Sequence, residues 1–151
     1  MGYRSDVGLY IVGNEEDFAV FCAALKLWAN AEYNGKLFDT WEDTTWGWNK
    51  TCITFFTQSV KWYEDYPEVI RIESLWEFAV KWEQQHDKSL SGVFIRIGEE
   101  TTDIEERHFG YDPPWDFMRV GRYIDVSYDK APFGERANPI LGEQQEKEEV
   151  E

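Results

Sequence analysis

VGLYIVGNEEDFAVFCAALKLWA (residues 7–29) sets the fold class, because it changes from strand to helix within one short stretch. Residues 9–12 are an apolar run typical of a buried strand, and Gly13 interrupts it. Asn14 is a helix N-cap, and the three acidic residues after it suit the positive end of the helix dipole. Apolar residues then recur at helical spacing, which predicts a helix of about four turns with one buried face.

Two further strands and a Trp-rich connection are predicted after this helix. Asn34 and Gly35 are a turn signal, and residues 36–41 alternate enough to form a short strand. Residues 51–63 predict a stronger strand, because β-branched and aromatic residues dominate it. Residues 44–48, TTWGW, connect the two.

The second helix has two candidate starts. Asp65 offers a cap just before Pro67, whereas Ser74 begins a capping-box pattern. We prefer the earlier start, because the helical period of apolar residues already begins at Val69.

Three strands are predicted after the second helix. Residues 93–97 alternate as a strand does, and residues 118–128 alternate again. Residues 103–109 are polar on both faces apart from Ile104 and Phe109, which is typical of a solvated edge strand.

This order of elements predicts an α+β fold. We expect a largely antiparallel sheet with two helices packed on one face, close to a ferredoxin-like β-α-β-β-α-β arrangement with an added C-terminal strand. Residues 1–130 are predicted to be a single α+β domain, a size that supports its own core. Pro and Gly interrupt every pattern from residue 131, so residues 131–151 are predicted to be an extended arm and an acidic disordered tail.

Charge is the strongest signal in the composition. The chain of 151 residues has 30 acidic and 15 basic side chains, a formal net charge of −15. This charge opposes direct binding to nucleic acid or to an anionic membrane, because both depend on Lys and Arg. It suits a partner protein with a basic surface, although solubility alone also explains an acidic composition.

No motif predicts a reaction, a cofactor or a membrane span. The sequence lacks the glycine-rich phosphate loops, and its two histidines, His86 and His108, form no metal-binding pattern. Cys22 and Cys52 show no redox or metal spacing, which favours a reducing cytosol. No apolar run approaches the roughly 18 residues of a membrane span. The expected protein is therefore a cytoplasmic non-enzyme with no metal.

Two groups of residues are the candidate partner-binding sites. The first, which we call the acidic hairpin, has carboxylates so close together that they repel one another with no evident folding benefit. Selection for binding explains that cost, and so does solubility. The second is a Trp-rich segment, for which core packing and an interface role are both open. The acidic hairpin comprises Glu99, Glu100, Asp103, Glu105 and Glu106, and the Trp-rich segment provides Trp41, Trp46 and Trp48.

Several short stretches resemble a group of small proteins from bacteriophages and prophages. They are MGYRSDV (1–7), SVKWY (59–63), YPEV (66–69), FIRIGEE (94–100) and DIEE (103–106). The resemblance spans most of residues 1–128 and its motifs carry no known chemistry. It implies a phage setting, in which small accessory proteins often bind and inhibit host factors, including defence systems.

Three functional hypotheses follow, with the oligomeric state left open. The leading one is a non-enzymatic phage inhibitor of the anti-defence or anti-CRISPR type, whose acidic, nucleic-acid-mimicking surface occupies a basic host protein in the host cytosol. The second is a small-ligand-binding module that uses the Trp-rich segment with Arg96, Arg119 or Arg122 as anion contacts. The third is a metal-dependent enzyme that uses the acidic hairpin.

Overall fold

The computed structural model describes residues 2–87, 89–120 and 123–133, with only the backbone of Arg119. These residues form an α+β fold, as predicted. Its helices and strands are β1(Ser5–Val12), α1(Glu15–Tyr33), β2(Thr45–Trp48), β3(Cys52–Val60), α2(Pro67–His86), β4(Ser91–Ile97), β5(Ile104–Phe109), β6(Met118–Val120) and β7(Ile124–Val126).

The first five strands form one antiparallel sheet. Its order is β2-β3-β1-β4-β5, so β1 is central and β2 and β5 are the edges. The largely antiparallel sheet with two helices is therefore confirmed. The sheet differs from the four-stranded sheet of a ferredoxin-like β-α-β-β-α-β arrangement by one additional strand, because β5 pairs with the outer side of β4.

Helix α1 begins where the sequence analysis places it, and α2 begins one residue after the predicted start. The Asn14 side chain accepts a hydrogen bond of 2.8 Å from the Asp17 N–H, which caps α1. Helix α2 begins with Pro67, whose fixed φ suits a first helical residue. Its N-cap is Tyr66, so Asp65 is not the cap that was predicted.

Each face of the sheet carries its own core. One face packs against α1 and α2 through aromatic and aliphatic side chains such as Leu9, Phe55 and Phe94. The opposite face packs against β6, β7 and the residues that follow them, including Ala131 and Phe133. The first residues of the predicted arm therefore belong to a core, while residues 134–151, including the predicted tail, lie outside the described residues.

Two predicted strands are corrected by the structure. Residues 36–41 form turns rather than a strand, and the edge strand is β2, within the stretch that was interpreted as a connection. Residues 118–128 do not form one strand, because β6 and β7 pair with each other as a separate two-stranded sheet. No helix among the described residues has the length and apolarity needed to cross a membrane.

Candidate binding surface at the acidic hairpin

The acidic hairpin lies at the edge of the main sheet. Strands β4 and β5 pair from Ile97 opposite Ile104 to Gly92 opposite Phe109, and the Gly98 N–H donates to the Asp103 carbonyl at 2.8 Å. Successive side chains of a strand point to opposite faces. Consequently Asp103, Glu105 and Arg107 lie on the face that carries α2, whereas Glu106 lies on the other face.

Arg96 joins two of the hairpin carboxylates. Its Nη2 donates to Asp103 Oδ1 at 2.8 Å, and its Nε donates to Glu105 Oε1 at 3.1 Å. The Tyr3 hydroxyl donates a further bond of 2.7 Å to Asp103. The hydrogen bonds from Arg96 and then from Tyr3 lower the pKa of Asp103, because they stabilise its ionised form. The bond to Asp103 correspondingly raises the pKa of Arg96.

Arg107 links the hairpin to α2. Its two terminal nitrogens donate to the two oxygens of Glu73 at 2.9 and 2.8 Å, a bidentate pair of the strong kind. Its Nε lies 3.0 Å from Glu105 Oε2, within ion-pair distance. The guanidinium carbon also lies 3.9 Å from the centre of the Phe94 ring, an arrangement favourable to a cation–π interaction.

These contacts correct the expectation that the hairpin carboxylates only repel one another. Asp103 and Glu105 are held by guanidinium groups, so they contribute to the fold. With Glu73 the cluster has six carboxylates and two guanidinium groups, so four negative charges have no cation within it. Three of these four charges are on the exposed Glu99, Glu100 and Glu106, and the fourth is shared by the carboxylates that Arg96 and Arg107 hold.

The exposed carboxylates differ in their hydrogen bonding. Glu99 accepts a hydrogen bond of 2.5 Å from the Arg4 N–H. The side chains of Glu100 and Glu106 are exposed, and no cation of the described residues lies within ion-pair distance of either. Within the acidic hairpin, these two are therefore the carboxylates most available to an external cation.

An open cleft of about 820 Å³ adjoins the cluster on the α2 side. Arg96, Asp103 and Glu105 form part of its wall, so the salt-bridged face of the hairpin opens into it. The rest of the wall combines aromatic rings with further carboxylates, including Tyr3, Trp62, Tyr63, Glu64, Asp65, Glu73 and Glu77. The cleft therefore extends the acidic surface from the sheet edge onto the first half of α2.

The three predicted Trp residues pack into the protein, and Trp46 and Trp48 lie on β2, at the opposite edge of the main sheet from the hairpin. Trp48 is 1% exposed and belongs to the helix-side core, which leaves it no surface for a partner. Trp46 stacks on Trp48 with ring centres 5.3 Å apart, and Trp41 packs against Trp62 at 5.7 Å. Trp41 and Trp46 are half-buried, and their role in binding stays a prediction.

The structure gives little support to the other predicted chemistries. The guanidinium of Arg96 is already engaged by carboxylates, and the side chains of Arg119 and Arg122 lie outside the described residues. Within the described ranges, no group of three or more His, Cys, Asp or Glu residues is placed to hold a metal ion. Burial raises the pKa of Cys22 to about 12, so its thiol is a poor nucleophile at neutral pH.

Sequence reasoning missed the cleft and the pairing of Glu73 with Arg107, although it grouped Glu73 with Glu64, Asp65 and Glu68 as an acidic cluster. Glu73 precedes Arg107 by 34 positions, and no local pattern indicates that the two meet. The aromatic wall around Trp62 belongs to the segment after β3, which the sequence analysis assigned to the strand itself.

No protein-family model matches this chain, and no curated protein or solved structure matches it at a significant level. A function for the acidic hairpin is therefore inferred from its own geometry and charge.

Proposed function

We propose that this chain is a non-enzymatic inhibitor that binds a host protein through the acidic hairpin. The observation that carries the proposal is the set of exposed carboxylates, Glu100 and Glu106 above all, on a strand pair fixed by Arg96 and Arg107. A strand pair that is already held in place offers a basic partner a surface whose backbone needs little ordering on binding. Complementary charge would also accelerate the encounter.

Spaced carboxylates on an exposed strand resemble the charge pattern of a nucleic-acid backbone. We infer that the partner surface is one that otherwise binds phosphate groups, as expected of a phage protein directed against a defence system. The resemblance to phage proteins and a location in the host cytosol belong to the same proposal. The description of the main sheet as ferredoxin-like is part of the proposal as well. The position of β1 between β3 and β4 supports it.

A small cationic ligand is the second candidate, favoured by the cleft beside α2. Its carboxylates Glu64 and Asp65 are exposed, and the rings of Trp62 and Tyr63 line the same space. Aromatic rings and carboxylates together suit an ammonium or guanidinium group. A small molecule that co-purifies with the original chain and is absent from the Trp62→Ala variant would favour this candidate over the proposed inhibitor function.

The inhibitor proposal is tested by reversing the two carboxylates that have no internal cation. Partners are recovered from host lysate, and the affinity of each purified partner is measured by calorimetry. Glu100→Lys with Glu106→Lys should weaken binding at least about tenfold, because each reversal replaces attraction by repulsion. The matched control, Glu32→Lys with Asp43→Lys, changes the net charge equally at exposed sites outside the hairpin and should change the affinity less than about twofold.

Two results would count against the inhibitor. One is a folded Glu100→Lys, Glu106→Lys variant that binds its partner as tightly as the original chain. The other is a gel shift that shows sub-micromolar binding of DNA or RNA by this chain at physiological salt. Asp103 and Glu105 are left unchanged in the test, because Lys at either position would face Arg96 and disturb the fold.

A further inference from the structure

Strand β5 has a free hydrogen-bonding edge. Hydrogen-bonded and non-hydrogen-bonded pairs alternate along an antiparallel ladder. The pair of Gly98 with Asp103 is hydrogen-bonded, so Glu105 and Arg107 direct their main-chain groups toward β4. The N–H and C=O groups of Glu106 and His108 therefore point away from the sheet. The described residues place no strand beyond β5.

The surroundings of this edge are partly apolar. Ile104 is 41% exposed and Trp115 is 44% exposed, and the His108 ring lies 5.5 Å from the Trp115 ring. Tyr111, just beyond the end of β5, is 94% exposed. Large exposed side chains close together often mark an interaction surface. Here they lie next to the two residues with outward main-chain groups.

We propose that β5 accepts an extended basic segment of the partner protein as a sixth strand of the sheet. The inference rests on the proposed function and specifies how the acidic hairpin engages its partner. Addition of a strand provides main-chain hydrogen bonds, while alternating side chains provide specificity. Lys or Arg side chains of the added strand lie on the face of the sheet that carries the exposed Glu106, and its alternate side chains lie on the face that carries Glu105.

The negative charge of this chain favours a basic partner segment over a second copy of the chain as the added strand. Each copy has a net charge of −15, so two copies repel one another at long range. A symmetric antiparallel pairing centred on Glu106 would also place that residue opposite its own copy, and like charges directly opposite are destabilising. An edge rich in acidic side chains resists such self-pairing and still admits a cationic strand.

The test uses a labelled synthetic peptide of alternating Lys and Val, seven residues long, in place of the partner. Fluorescence anisotropy should show that it binds, and that a matched peptide of alternating Glu and Val does not. Amide exchange should be fast at Glu106 and His108 in the free protein and should slow when the Lys–Val peptide is added. The amides of Glu105 and Arg107 should be protected in both states.

Two variants at one position isolate the main-chain donor. Both His108→Pro and His108→Ala remove the imidazole, and only His108→Pro removes the outward N–H. Pro is tolerated at an edge position whose N–H faces solvent. His108→Pro should bind the Lys–Val peptide about tenfold more weakly than His108→Ala, the effect of one lost hydrogen bond. If His108→Pro fails to fold, the amide-exchange measurement on the original chain alone decides whether β5 accepts an added strand.

The outcomes separate the inference from the proposed function. Equal affinities of the two folded His108 variants, or unchanged exchange at Glu106 and His108, would overturn strand addition. So would a dimer of the free chain that His108→Pro abolishes, because the occupant would then be a second copy. Strand addition fails alone if the two folded His108 variants bind equally, or exchange at Glu106 and His108 is unchanged, while Glu100→Lys with Glu106→Lys still weakens partner binding. The proposed function fails alone if the peptide protects the edge while that double variant binds the partner normally.

Discussion

Arg96 and Arg107 decide which hairpin carboxylates support the fold and which remain available. Both guanidinium groups lie on the α2 side of the sheet, where they hold Asp103, Glu105 and Glu73. Glu106 projects from the opposite face of the same strand, beyond their reach. Glu105 is therefore a structural carboxylate and its neighbour Glu106 is an exposed one, because successive side chains of a strand lie on opposite faces.

The lowered pKa of Asp103 gives this arrangement a pH dependence. A carboxylate whose pKa is lower in the folded than in the unfolded state adds stability that is present above the ordinary pKa of 3.8 and is lost as the pH falls through the folded value. The free energy of unfolding of the original chain should therefore fall below pH 3.8 more steeply than that of Asp103→Asn. Urea denaturation between about pH 5 and pH 2.5 measures the difference. A difference that stays constant over this range would show that Arg96 and Tyr3 do not favour the ionised form.

Local signals placed the helices well and the short strands poorly. Asn14 and Pro67 mark their helices because a cap and an N1 proline act through the backbone beside them. Strand β2 was missed because Gly47, in the middle of TTWGW, is normally a turn signal. The single strand predicted over residues 118–128 was wrong because alternation fixes the two faces but does not show where a chain reverses.

Gly47 occupies a strand because the chain after β7 crosses directly over it. A Cβ at this position would lie 1.5 Å from the Pro132 carbonyl oxygen and 2.6 Å from Thr54 Oγ1. Backbone oxygen cannot move aside alone, so Gly47→Ala should separate the covering segment from the sheet and lower the free energy of unfolding by about 3 kcal/mol. Chemical denaturation with tryptophan fluorescence measures the change.

The matched control for this substitution is Gly13→Ala. Its Cβ would lie 2.9 Å from the end of the Leu90 side chain and 3.2 Å from the Ser89 carbonyl oxygen, so the shifts needed are much smaller than those at Gly47. The loss of stability should therefore be clearly smaller. Equal losses at the two positions would contradict the close packing of Pro132 on β2.

The charge of the whole chain was readable from the sequence, whereas its distribution was not. A net charge of −15 suits a basic partner under any fold, and solubility alone also explains it. Which carboxylates carry the excess depends on long-range pairs such as Arg107 with Glu73, and on Tyr3 reaching Asp103 across 100 positions. Such pairs form only when the sheet and α2 assemble, so no local pattern could separate Glu100 and Glu106 from their neighbours.

The excess charge should make folding and binding respond to salt in opposite directions. Screening weakens repulsion among exposed carboxylates, while the partly buried pairs of Arg96 are screened less. Raising NaCl from about 10 mM to about 200 mM should therefore raise the melting temperature of the free protein. Over the same range the affinity for a basic partner or for the Lys–Val peptide should fall, because screening weakens the attraction between opposite charges. Scanning calorimetry and anisotropy measure the two responses. A melting temperature that falls with salt would mean that attraction within the ion-pair cluster outweighs the repulsion of the excess carboxylates.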